Sequence, residues 1–184
     1  MTNRHHLNIV SGTVALVLLA ISVPHPVWGR IPWAATSGLH FVNAVVAADN
    51  YGAAAGGLAG KKSPSRDVRE FGHMLWEDSI EDWRRLKWVL TKTEPNVVLP
   101  THVFTHDMFL MDELIPVSGD AFDRRFIAQQ AASLKEALAL AEGYARAGDD
   151  FDLKEFAARN VPRIRMQLDR ILQIEMRHQR LASR

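Results

Sequence analysis

The stretch PSRDVREFGHMLWEDSIEDWRRLKWVLTKT, residues 64–93, decides the fold. Phe71, Leu75, Asp78, Asp82, Leu86 and Val89 recur at three- and four-residue steps, which places them on one face of an α-helix. A second stripe of Trp76, Ile80, Trp83 and Leu90 runs to one side of it. Ser63 is placed to cap the helix, with Pro64 at the first helical position. The two acids on the main stripe are unusual. A carboxylate turned inward needs a partner, so an Arg or Lys from another helix is expected to meet Asp78 and Asp82.

Three more long segments read as helix, and little reads as strand. The one before runs from about Thr36 to Lys62, with Thr36 or Ser37 as cap and Phe41, Val42, Val45, Val46 and Leu58 as apolar positions. Its second half is rich in glycine, and Gly52, Gly56 and Gly60 fall four residues apart on one face. Each glycine costs about 1 kcal/mol against alanine inside a helix. Two readings stand: a flat face that lets a neighbouring backbone come close, or a helix that ends early in a loop. After residue 93 comes a connection, residues 94–117, punctuated by Pro95, Pro100 and Pro116, with room for a short helix from Thr105 to Leu114. It is long enough to cross the length of a bundle.

The third long helix is expected from Gly119 to Ala147. Ser118 would cap it, Asp120 and Asp123 lie near its positive end, and Gly148 stops it. Asp152 with Glu155 reads as a capping box for the fourth, which carries Phe156, Ala157, Ile164, Leu168, Ile171 and Leu172 on one face. Pro162 should kink or split that helix. One apolar face on each of four helices predicts an all-α four-helix bundle, with the long connection between the second and third.

Residues 1–29 read as an address. Met1–His6 carries Arg4 and no acid, Leu7–Val23 is apolar, and Val27-Trp28-Gly29 suits cleavage before Arg30. The alternative is an uncleaved N-terminal anchor, since a 17-residue apolar stretch is at the lower limit for spanning a bilayer. The expected organisation is a signal segment over 1–29, a helical bundle over 30–176 and a basic tail over 177–184, with a periplasmic location. Removing 1–29 takes away Arg4 and leaves 21 bases and 21 acids. A balanced surface with no long basic run argues against nucleic acid. The chain has no cysteine, which excludes disulfides, thiolate metal sites, iron–sulfur clusters and cysteine nucleophiles.

Phe41-Val42, VREFGHMLWED over 68–78, SGDAFDRRF over 118–126 and LKEFAARNVPRIRMQL over 153–168 together resemble the exported bacterial family called domain of unknown function 4142. The resemblance implies a ferritin-like helical bundle. It also implies ligand-type residues at several inner positions, and there this chain departs. Where the family usually shows His, this chain has Ser79, Leu134 and Gln167; where it commonly offers Glu in the first helix, this chain has Gly52 and Ala54.

Ferritin-like di-iron sites use Glu-x-x-His on two helices and a further Glu on each of the others. Glu70/His73 and Glu175/His178 have the spacing, but Glu70 and His73 point away from the apolar stripe, and the first helix offers only Asp49. His102 and His106 have the spacing of a metal clip if helical, but beside Pro100 they read first as surface residues. Glu77 and Glu81, alternating with Arg84, Arg85 and Lys87, read as a solvated face. No nucleophile elbow, zincin motif, P-loop or dinucleotide fingerprint occurs.

The expectation is a non-enzymatic exported protein without a cofactor or metal, acting through protein–protein binding. Its partner would be larger, for instance a periplasmic dehydrogenase or cytochrome subunit, with the membrane reached only through that partner or an uncleaved N-terminal segment. The candidate partner-binding residues are Trp76, Ile80, Trp83, Trp88, Gly52, Gly56 and Gly60. The competing reading of the tryptophans is that residues 97–115 cover them within the chain. The alternative function is a ferritin-like metal-binding protein or oxidase.

Overall fold

The computed structural model describes residues 37–93 and 105–183. These residues form five helices: α1 (Gly38–Lys62), α2 (Arg66–Thr93), α3 (Thr105–Leu114), α4 (Gly119–Ala147) and α5 (Phe151–Ala182). No strand occurs among the described residues. The segment read as a signal or anchor lies outside them, as do His102 and residues 97–104 of the connection. No helix among the described residues is long and apolar enough to cross a membrane.

Two antiparallel hairpins make the body. α1 packs on α2 and α4 on α5, and the hairpins meet through α1 against α4 and α2 against α5. α2 finishes at the end of the body where α1 starts, and α4 begins at the opposite end. Among the described residues, α3 comes between them in the chain. α3 packs on α1 and α4 and buries Leu114 in the core. Lys62 at the end of α1 donates to the carbonyls of Ile115 and, at 3.1 Å, of Val117, which ties down the entry to α4.

The long helices stand where the apolar periodicity puts them, but their caps shift. Ser63 ends α1, its N–H bonded to Ala59, instead of starting α2. The cap of α2 is Ser65, whose hydroxyl accepts from the Val68 N–H at 3.4 Å, three residues on. Pro64 thus lies in the turn. Ser118 takes the cap position of α4 with no side-chain bond, and Gly119 follows with φ +63°, a left-handed backbone that favours glycine. The cap of α5 is Asp150, bonded to the Leu153 N–H at 2.8 Å, so the capping box at Asp152 is corrected; Glu155 pairs with Arg159 instead. α5 is one helix through Pro162, which corrects the splitting alternative. It also runs through the basic tail to Ala182, and Arg177 reaches Asp67 of α2 at 3.1 Å.

The glycine-rich stretch is helix throughout, which removes the loop reading. Its cause is the α1–α2 contact. A Cβ added to Gly56 would lie 2.3 Å from the Gly72 carbonyl oxygen, and one added to Gly72 would lie 2.8 Å from that of Gly56. The two backbones touch, and the packing gained there offsets the glycine cost.

The core divides in two. At one end Tyr51, Phe71, Phe122, Phe126 and Ile171 pack together; at the other, Phe41, Val46, Leu86, Tyr144 and Phe156 do so, with Phe41 stacked on Tyr144 at 4.2 Å between ring centres.

Candidate functional site

Between the two apolar halves lies a polar layer. In α1, Asp49 falls between Val46 of one half and Tyr51 of the other; in α2, Asp78 and Asp82 fall between Leu75 and Leu86; in α5, Asn160, Arg163 and Gln167 fall between Ala157 and Ile171. The helical repeat that builds the apolar faces also aims these residues inward.

Arg163 is the centre of the layer. Its Nη2 pairs with Asp82 and donates to Asn160 Oδ1 at 3.3 Å, and its Nη1 reaches the Asp78 carbonyl at 3.5 Å. Gln167 Nε2 donates to Asp78 Oδ2 at 2.6 Å. The expected basic partner is therefore Arg163, which meets Asp82, while Asp78 is met by a carboxamide. Burial pushes the Asp82 carboxyl above its ordinary range, and the charge and hydrogen bond of Arg163 only partly offset this. Asp49 is raised well above its ordinary value, first by burial and then by repulsion from Asp82, with Arg163 opposing. A buried carboxyl near a second carboxylate and only one guanidinium is driven to keep its proton.

The three tryptophans among the described residues all reach the surface. Trp76 is 47% exposed, Trp83 38% and Trp88 60%. Trp76 and Trp83 are seven residues apart on the same side of α2, with partly buried Ile80 between them. Trp88 points elsewhere on the helix, with Lys92 3.6 Å from its ring centre. Of the cover expected from residues 97–115, residues 97–104 lie outside the described residues, and the described part, α3, packs on α1 and α4.

The glycines part company with the tryptophans. Gly52 and Gly56 are buried against α2, at Ser79 and Gly72, so their close approach is made inside the chain and they are withdrawn as partner contacts. Gly60 is exposed and a Cβ there would touch nothing. Glu70 and His73 face outward as expected, Glu70 pairing with Arg66 at 2.7 Å and His73 lying 3.3 Å from Glu77.

The family described as Domain of unknown function (DUF4142) matches residues 32–174. The chain belongs to this family. The match takes in α1 to α4 and most of α5, including every residue of the polar layer. No characterised protein and no solved structure matches the chain. The positions where the resemblance places ligand-type residues sit in or beside the layer. A Cβ on Gly52 would lie 3.5 Å from Ser79 Oγ, Leu134 is buried in the core, and Gln167 is bonded to Asp78.

One further set of ligand-type side chains gathers away from the layer, where α4 starts and α5 ends. Asp120, Asp123 and His178 each offer an atom within 4.8 Å of the others. The sequence placed the acids near a helix start and the imidazole near the end of the fourth long helix. Joining them required knowing that α5 ends beside the beginning of α4.

Proposed function

We propose that the chain is a non-enzymatic exported bundle of ferritin-like topology that acts by binding a larger protein through α2. In its most concrete form it is a small accessory subunit of a periplasmic, membrane-bound oxidoreductase. The observation that carries the reading is the pair of exposed indoles, Trp76 and Trp83, flanking Ile80 on one stripe. Trp is enriched among residues whose truncation costs about 2 kcal/mol or more at protein interfaces, so two on one helix face make a strong anchor. A single long crossover between the second and third long helices supports the ferritin-like topology.

The metal-oxidase alternative is disfavoured by what fills the layer. A di-iron site needs carboxylates and imidazoles open to the ions. Here a guanidinium holds Asp82 and a carboxamide holds Asp78.

Isolation of the chain at native levels from the envelope fraction tests the proposal. A stoichiometric larger partner is expected, released when Trp76→Ala and Trp83→Ala are combined. Recovery of wild type as a solitary monomer, or an unchanged complex with the double variant, refutes it. N-terminal sequencing that begins at Arg30 tests export by cleavage.

A further inference from the structure

Asp123 is 1% exposed, and neither of its carboxylate oxygens has a hydrogen-bond partner. The other buried acid with an orphaned oxygen, Asp82, has its second oxygen held by Arg163; Asp123 has no such relief. It lies beyond the first four residues of α4, so the free N–H groups of the helix start do not satisfy it. His178 of α5 stands beside it, with Nε2 3.9 Å from Oδ2, too far for a hydrogen bond. Asp120, one turn earlier on the same side of α4, brings a second carboxylate to the same point.

A buried carboxylate with both oxygens unmet calls for a cation, and the arrangement supplies its shell. We propose that Asp120, Asp123 and His178 bind one divalent first-row transition-metal ion, of the class represented by zinc. The imidazole selects against calcium and magnesium, and the two carboxylates supply hard oxygen donors without thiolate. Three protein ligands leave a fourth position open to water or to a donor from outside the chain. Donor atoms around a tetrahedral zinc lie about 3.4 Å apart, from bonds of about 2.0–2.1 Å. The observed spacing closes to this by rotation of Asp120, which is exposed, and of His178, which is only partly covered. The site is separate from the polar layer and from α2's tryptophans, so it stands or falls without the partner-binding reading.

The test uses the full chain, purified without a tag and stripped with a chelator, then titrated with zinc by calorimetry or equilibrium dialysis near neutral pH. One equivalent is expected to weaken more than about tenfold in Asp123→Asn and in His178→Ala, a size that loss of even a ligand's supporting partner reaches. It is expected to persist in His73→Ala and Asp49→Asn. Asp120→Asn, whose side chain is at the surface, gives a ligand variant that leaves the core untouched. Circular dichroism of each variant keeps folding separate from binding. On zinc addition the ring nitrogen resonances of His178 should shift. Absence of binding at micromolar zinc, or an equivalent of equal affinity in His178→Ala and Asp120→Asn, overturns the proposal and leaves His178 as a neighbour that only packs beside Asp123.

Discussion

Replacing Arg163 with Met tests the account of the polar layer. The variant keeps most of the side chain's length and removes the guanidinium that holds Asp82, Asn160 and the Asp78 carbonyl. The Asp82 side chain is only 6% exposed and that of Arg163 19%. Breaking a buried ion pair from one side costs about 3–5 kcal/mol, because the other charge is left bare. The lower end, about 3 kcal/mol, is expected here, since Asp82 is already pushed toward protonation and can shed its charge. For a domain of this size that lowers the midpoint of thermal unfolding by about 6–12 °C. The loss should depend on pH. Below the raised range of the Asp82 carboxyl the acid is neutral and needs no counter-ion, so the cost shrinks from about pH 7 to about pH 4. Combining Arg163→Met with Asp82→Leu removes both charges and should restore stability to within about 1–2 kcal/mol of wild type, a coupling well above that of independent sites. Urea unfolding followed by circular dichroism at the two pH values supplies all four corners of the cycle. A cost for Arg163→Met below about 1 kcal/mol, or one equal at both pH values, would refute the reasoning.

Gly56→Ala should destabilise by about 1–3 kcal/mol, because its Cβ meets the Gly72 carbonyl and forces α1 from α2, whereas Gly60→Ala, with nothing near, should stabilise by about 0.5–1 kcal/mol. Thermal unfolding of the two variants must move in opposite directions. Asp49→Asn should remove a fall in stability with rising pH and so steepen the acid limb of the stability profile. With its folded pKa raised above the ordinary 3.8, Asp49 holds a proton in the folded chain that the unfolded chain has released, so its contribution is full below the ordinary value and lost as pH rises through the folded one. An unchanged slope of urea stability against pH in the variant would contradict this.

The fold was legible wherever a helix buries a continuous apolar face. The limits of the first, third and short helices follow from periodicity and from Gly148, and the structure departs from them by two residues at most. Caps were less legible because several Ser and Asp residues crowd each turn, and the local sequence does not say which one turns extended. Ser65 and Asp150, not Ser63 and Asp152, accept the N–H three residues on. The inward turn of Asp78 and Asp82 was visible in the stripe, and so was the need for a basic partner. Its identity was not, because Arg163 is paired with Asp82 by the packing of α2 on α5 across 81 positions. The glycine stripe was legible as a close-approach face. That its neighbour is α2 itself depends on Gly72, a single residue in an otherwise ordinary helix.

The polar layer also explains why a chain so rich in apolar residues keeps three acids inside. Asp49, Asp78 and Asp82 come from two helices and converge where the family resemblance would gather ligands around cations. A guanidinium differs from a metal ion in that place: it cannot be deprotonated, its five N–H donors point in a fixed fork, and it has no vacant position for a substrate. Arg163 therefore neutralises one acid and leaves the layer closed, while Gln167 ties Asp78 and burial drives Asp49 toward its protonated form. With each acid met in this way, the interior acts as a register between two apolar halves. A slip of α2 against α5 by one residue would turn Asp82 away from Arg163 and bury it against hydrocarbon, at a cost of several kcal/mol. The same pairing that denies the layer an open ligand set thereby fixes how α5 sits against α2, the helix that carries Trp76 and Trp83 to the surface.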